Sequence, residues 1–304
     1  QLSLGEEGYT GSILDSKFLR RCLALRKLIS SYKPDILHAH YASSYGLLGA
    51  TTFFRPYLIS VWGSDIFSFP RKSWVFKQIL KFNLASSNMV YSSSEVMAKE
   101  TGKYCSKSIE VIPFGVDSEF LIPVNRLGRS ILTIGTIKRL EHIYGIDTLI
   151  HAFAICVNSN PEVNMRLAIT GDGRLKNDLI ILAKGHGIEH LCEFTGSVAH
   201  AEIKRHLDEL DIFVALSREE SFGVAIIEAQ SCGLPVVVSN APGPKEIVKQ
   251  EVSGFIVDKE DPEAAAQAIS MLIRNDSLRI EMGNSGRDIV LEKYDWKMNV
   301  CQMI

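Results

Sequence analysis

The sequence predicts an α/β protein of two units, each a parallel sheet with helices on both faces. Three observations carry this. Strand-like and helix-like segments alternate along the chain, the pattern of βαβ units. The strand segments are near-continuous apolar runs, as a sheet covered on both faces requires. The alternation breaks at "FLIPVNRLGRS" (120–130), where Pro, Asn and Gly separate two cycles. The domains are therefore predicted as 1–123 and 124–304, and 304 residues with 46% hydrophobic content supply two ordinary cores.

In the first cycle, "KFLRRCLALRKLISSY" (17–32) has helical apolar spacing and "DILHAHY" (35–41) is a short strand. A second strand, "YLISVWG" (57–63), is followed by the amphipathic helix "WVFKQILKFNLASS" (74–87). The strand "MVYSSS" (89–94) runs into a helix opening on Ser94, and "IEVIPFGV" (109–116) closes the cycle. The second cycle supplies six strands: "SILTIGTI" (130–137), "NMRLAITGDG" (164–173), "LCEFTGSV" (191–198), "DIFVALS" (211–217), "LPVVVSN" (234–240) and "GFIVD" (254–258). Helices are predicted at 145–159, 174–187, 201–210, from about Phe222 to Cys232, at "GPKEIVKQ", at "DPEAAAQAISMLIRN" and in the tail. Four strands in the first cycle are too few for a matching domain, so an opening strand and its Gly-rich loop are expected to be missing before Gln1.

A formal charge of −2 carries no overall signature of nucleic-acid binding. The charge is uneven: 14 Lys and Arg against 10 Asp and Glu up to residue 125, then 19 against 25, as two units with different tasks would show. Cys22, Cys105, Cys156, Cys192, Cys232 and Cys301 form no C-x-x-C pair and read as reduced thiols of a cytoplasmic protein. No apolar run reaches the ~18 residues of a membrane span. The opening "QLSLGEEGYTGS" lacks the charged and apolar regions of a signal peptide.

Chemistry concentrates in "REESFGVAIIEAQSCGLPVVVSN" (218–240). The loop after "DIFVALS" lies at a C-terminal strand edge, where open α/β sheets bind ligands. The helix that follows aims free N–H groups and a positive dipole end there, and Gly223 permits close approach of a phosphate. Glu220 stands in the loop. Glu228 stands inside the helix among Val224, Ala225, Ile226, Ile227 and Ala229, where a carboxylate is expensive unless paired or bound. Phosphate at the tip and carboxylates on sugar hydroxyls describe a nucleotide sugar.

This stretch, with "KPDILHAHY", "ISVWGSDIF", "YSSSEVMAKE", "IEVIPFGVD", "LTIGTI…YGIDTLIHAF", "AITGDGRLK", "CEFTGSV" and "YDW", resembles the retaining family-4 glycosyltransferases. The resemblance implies the GT-B fold, two Rossmann-like domains facing a cleft. It implies a donor nucleotide-diphosphate sugar held mainly by the second domain and a glycan or lipid-linked acceptor on the first. On it, Glu220 lies against the donor sugar and Glu228 binds the ribose. The backbone of Phe222, Gly223 and Val224 meets the diphosphate. Transfer proceeds with retention and without a metal or other cofactor, and the leaving diphosphate needs cationic stabilisation.

Here the chain departs from the family pattern. Thr136 replaces the Arg after Gly135, and Tyr144 replaces the Lys before Gly145. Lys138 is expected to take over the diphosphate, with Arg139 in reserve. Gly171 and Asp172 form a turn at a strand edge on the donor side, where Arg174 or Lys176 can add positive charge. Trp62 replaces a family His. Asp65 and one of His38 and His40, His40 above all, are placed on the acceptor side. "IFSFPRKSWVFKQILKF" (66–82) interleaves Phe67, Phe69, Trp74, Phe76 and Phe82 with Arg71, Lys72, Lys77 and Lys81, a pattern open to two readings. One is a core face with a wet lysine face. The other is peripheral contact with the inner membrane leaflet, fitting enzymes of cell-surface polysaccharide synthesis. An epimerase of the same fold and a non-catalytic sugar-nucleotide-binding module are the competing functions.

Overall fold

The structure is a computed structural model and describes residues 16–303; the opening segment read above lies outside them. The chain divides into two compact units, Gln1–Ile112 and Pro113–Ile304.

In the first unit α1 (Ser16–Tyr32) leads to β1 (Leu37–His40), α2 (Ser44–Ala50), β2 (Tyr57–Val61) and α3 (Ser64–Phe67). Then come α4 (Trp74–Ser86), β3 (Met89–Ser92), α5 (Glu95–Thr101) and β4 (Ile109–Val111). The strands pair in parallel in the order β1-β2-β3-β4. Every residue of β2 is buried, and Ile59 and Val61 meet Leu80 and Leu84 of α4 and Met97 of α5. Side-chain caps fix two helix starts: Ser73 Oγ accepts from Phe76 N and Ser94 Oγ from Met97 N, both at 3.3 Å.

The second unit contains β5 (Leu132–Ile137), α6 (Ile146–Ser159), β6 (Met165–Thr170), α7 (Lys176–Gly185), β7 (Cys192–Gly196), α8 (Ile203–Asp208) and β8 (Ile212–Ala215). These are followed by α9 (Val224–Ser231), β9 (Val236–Ser239), α10 (Pro242–Ile247), β10 (Gly254–Val257), α11 (Pro262–Ile273), α12 (Asp276–Lys293) and α13 (Trp296–Cys301). The six strands are parallel in the order β10-β9-β8-β5-β6-β7. Successive residues of β8 and β9 face opposite cores. Ile212, Val214 and Val237 join one with Phe153 and Leu272, while Phe213, Val236 and Val238 join the other with Ile226 and Ile227. Burial on both sides is why these strands read as unbroken apolar runs.

The unit boundary falls eleven residues before the predicted one. Residues after Pro113 pack on the second unit: Val116 N donates to Tyr294 O at 2.8 Å, and Trp296 N to Val116 O at 3.0 Å. The Leu121 carbonyl accepts from Ser231 Oγ at 3.0 Å and from Arg287 Nη1 at 2.8 Å. The Pro-Asn-Gly stretch is thus a loop on the second unit. Among the described residues, four strands in the first cycle and six in the second agree with the sequence reading; α2 and α3 were not anticipated. No helix among the described residues is long and apolar enough to cross a membrane.

Candidate functional site

The loop between β8 and α9 is built to stay in one shape. Arg218 clamps it: its guanidinium donates to both oxygens of Asp147, at 2.9 and 2.7 Å, to Glu260 at 2.7 Å and to the His142 carbonyl at 2.7 Å. The planar fork suits this bidentate bond, and two carboxylates hold the guanidinium's pKa well up. Arg218 N also donates to Ile143 O at 2.8 Å, and Ser239 Oγ to Ser217 O at 2.5 Å. The loop after β8 is thereby fastened to the loop after β5.

Those two loops bring Lys138 and Glu220 together. Lys138 Nζ lies 2.6 Å from Glu220 Oε2, which also accepts from Ser217 Oγ at 2.9 Å. The two side chains are 9% and 13% exposed, so this is a largely desolvated ion pair. The ammonium also sits 5.1 Å from the centroid of the Tyr144 ring. Tyr144, at the position where the family pattern has Lys, thus lies against the Lys138 ammonium. Burial and then the Glu220 charge push the Tyr144 hydroxyl pKa up.

Glu228 lies on the first turns of α9 and is 7% exposed. Its carboxylate accepts no hydrogen bond from a described residue; its closest cation is His200 Nδ1, at 3.9 Å. Burial pushes its pKa up, with His200 and Lys138 pulling the other way. It opens on a cavity of about 370 Å³ lined also by Val224, His200, Ile203, Phe120 and Trp296. A carboxylate at this burial is costly unless it is hydrogen-bonded, so a hydroxyl-bearing ligand in the cavity would favour it. Gly223, at φ 124°, turns the chain into α9 and leaves Val224 as its first residue. Phe222 is 6% exposed and packs edge-on against Phe114 at 5.3 Å and Tyr294 at 5.9 Å. Its side chain anchors the loop, and its backbone runs close against Gly243.

The other expected donor residues separate. Arg139 and Arg174 are 76% and 87% exposed and converge on Glu141, at 3.8 and 3.0 Å. They face away from burial, and Lys138 is the inward cation. Asp172 is exposed and its Oδ1 accepts from Gly173 N at 2.8 Å, closing the turn. Gly171 and Gly135 are glycines for packing reasons. A Cβ on Gly171 would stand 1.8 Å from Lys138 O, and one on Gly135 2.5 Å from Leu210 Cδ2 and 2.7 Å from Ala168 O. Among the described residues no group of three or more His, Cys, Asp or Glu could hold a metal.

In the first unit, His38 and His40 share a face of β1 with rings 4.2 Å apart. His38 Nε2 is 2.8 Å from Ser60 Oγ; burial, then the charge of His40, lowers its pKa to about 4. His40 is the exposed member, 5.7 Å from Trp62. Asp65, expected on the acceptor side, is fully buried. It accepts from the backbone N–H groups of Ala42, Gly63 and Trp62 at 2.6, 2.8 and 3.1 Å. Those bonds commit it to holding two loop ends together beneath the surface. Sequence reading missed Ser217, Arg218 and His200. Arg218 opens the stretch quoted above, but its partner Asp147 lies 71 residues away, a separation no local pattern reveals.

Comparison with known proteins places this site in context. The family described as "Glycosyl transferases group 1" matches residues 119–289, and "Glycosyl transferase 4-like" matches residues 9–94. An uncharacterized glycosyltransferase of Methanocaldococcus jannaschii is 24% identical over 90% of this chain and 74% of its own length. The sulfoquinovosyl transferase of Arabidopsis thaliana is 28% identical over 88% of this chain and 55% of its own. The chain therefore spans about half to three quarters of these relatives. The crystal structure of Anabaena HepE in complex with UDP superposes with a TM-score of 0.82 at 21% identity, covering 93% of this chain and 80% of that one. That likeness shows the fold, GT-B.

Proposed function

This chain belongs to the glycosyl transferases group 1, and from that premise we propose that it moves a sugar from a nucleotide-diphosphate donor to a glycan or lipid-linked acceptor. In this reading transfer is retaining and metal-independent, as in family 4. The observation that carries the reading is Glu228: buried, without a hydrogen bond from a described residue, and facing a cavity of about 370 Å³. Ribose hydroxyls supply the donors it lacks. The diphosphate takes the N–H groups at the start of α9 and Lys138, and the sugar hydroxyls take Glu220. Transfer then rests on positioning and on neutralising the charge of the leaving diphosphate. The structural neighbour HepE was solved in complex with UDP, which supports a nucleotide-sugar donor.

The test is a thermal-shift screen against UDP-, GDP-, ADP- and CDP-sugars, since a ligand that binds only the folded state raises its melting point. At least one donor is expected to do so and to lose that effect with Glu228→Ala. If no donor shifts the transition, the proposal fails.

The same reading places the enzyme in cell-surface polysaccharide synthesis at the cytoplasmic leaflet, held peripherally. The support is α4. Phe69 and Phe76 of the basic aromatic segment meet at a tilt with ring centroids 4.9 Å apart and, with Phe67, turn to the core. Trp74, Val75 and Phe82 instead stand 73%, 49% and 47% exposed on α4, beside exposed Lys77 and Lys81. Aromatic side chains flanked by cations suit an anionic interface. The protein should sediment with anionic vesicles at low salt and release at high salt, and Trp74→Ala/Phe82→Ala should remove most of the binding. Failure to sediment ends this part of the proposal.

A further inference from the structure

We infer that the Lys138–Glu220 ion pair is a latch that opens for a complete donor sugar and closes again on the spent nucleoside diphosphate; the inference rests on the proposed donor site. Two observations carry it. The first is the pair itself, with Nζ 2.6 Å from Oε2 and the side chains 9% and 13% exposed. At this burial each charge depends on the other, and removing one partner leaves the other costly. The second is that the described arginines around the loop are engaged elsewhere. Arg139 and Arg174 are exposed and turned to Glu141. Arg218 is spent on Asp147, Glu260 and the His142 carbonyl. A diphosphate at the start of α9 must therefore draw on Lys138, which Glu220 already holds.

The exchange favours one ligand over another. A nucleotide-diphosphate sugar offers phosphate oxygens to Lys138 and hydroxyl donors to Glu220, so both charges exchange one partner for another. A nucleoside diphosphate without sugar satisfies Lys138 and leaves Glu220 with the Ser217 hydroxyl, 2.9 Å away, as its partner among the described residues. Glu220 then competes for the ammonium, and the diphosphate is held more weakly. The site thus prefers substrate to product through a contact neither ligand makes, and sugar departure itself prompts release of the nucleotide. Ser217 and Tyr144 hold the two charges in register for the return.

The experiment is a double-mutant cycle read by calorimetry. Binding of the nucleoside diphosphate whose sugar scores in the donor screen is measured for wild type, Glu220→Gln, Lys138→Met and the double variant. The latch predicts that Glu220→Gln tightens the nucleoside diphosphate about tenfold when Lys138 is present and changes it less than about twofold when Lys138 is Met, a coupling of ordinary size for one ion-pair network. Equal tightening in both backgrounds would mean simple repulsion of phosphate by Glu220 and overturns the latch, as does no tightening in either. Should Lys138→Met fail to fold, wild type and Glu220→Gln suffice. The preference for donor sugar over diphosphate must then collapse because the diphosphate tightens, and collapse through a weaker donor alone refutes the latch. A wild-type protein that binds no nucleotide sinks the donor site itself; binding without coupling sinks only the latch.

Discussion

Lys138→Met is expected to lower kcat for sugar transfer by about 10²–10³-fold, the usual loss when one preorganised group facing developing charge is removed. Bond cleavage to the donor sugar places growing negative charge on the leaving diphosphate. The N–H groups of α9 supply partial positive charge, but a full cation is needed to complete neutralisation. Lys138 is poised for this: 9% exposed, held by Glu220 and seated over Tyr144. Met keeps the length and volume of the stem, so cavity effects stay small. The loss should fall on kcat more than on KM, because the charge is greatest in the transition state. Leaving Glu220 uncompensated could mimic a catalytic loss by distorting the loop. The Lys138→Met/Glu220→Gln double variant removes that charge and should remain as slow as the single one. Arg139→Met, at an exposed position paired with Glu141, should stay within about threefold of wild type, as exposed pairs contribute little. A Lys138→Met enzyme with near-normal kcat, or an Arg139→Met enzyme without it, removes Lys138 from the leaving-group role.

The contrast between Lys138 and Arg139 shows where sequence reading stops. Two adjacent basic residues in a loop look equivalent on paper. The structure separates them by direction: one points at Glu220, 82 positions away, the other at Glu141 two positions away. The central strands of the second unit were legible because β8 and β9 are buried on both faces, which forces an apolar run of the right length. Glu228 was legible for the opposite reason, a carboxylate among apolar neighbours on a helix. What failed were features fixed by distant contacts. Helix α2, "SYGLLGA", hides behind two glycines. A Cβ on Gly49 would stand 2.5 Å from the Tyr57 ring, so packing removes the residue that would have signalled a helix. The domain boundary failed similarly. Pro and Gly at 123–128 looked like a linker, yet Val116 and Leu121 had already joined the second unit through bonds to Tyr294, Trp296, Ser231 and Arg287.

Gly171→Ala tests whether the donor loop's glycine serves the ligand or the frame, and the frame should win. Gly171 has φ +143°, a conformation that L side chains rarely adopt. A Cβ there would also stand 1.8 Å from the Lys138 carbonyl oxygen and 2.9 Å from its carbon. Neither neighbour can yield cheaply, because both belong to paired backbone. Lys138 N donates to Thr170 O at 3.0 Å, Leu140 N to Asp172 O at 2.9 Å, and Gly171 N to Gly196 O at 2.8 Å. Strain at such a φ costs about 1–3 kcal/mol, and forced overpacking about as much again. A total of about 3 kcal/mol corresponds to a fall of about 6–12 °C in melting temperature for a unit of this size. The fall should appear without any nucleotide present, and transfer should drop as well, since relief of the clash displaces the backbone that aims Lys138 at Glu220. If Gly171 instead only leaves room for phosphate, the ligand-free melting temperature will match wild type and donor affinity alone will suffer. Calorimetric melting of the two proteins with and without a donor sugar decides between these outcomes.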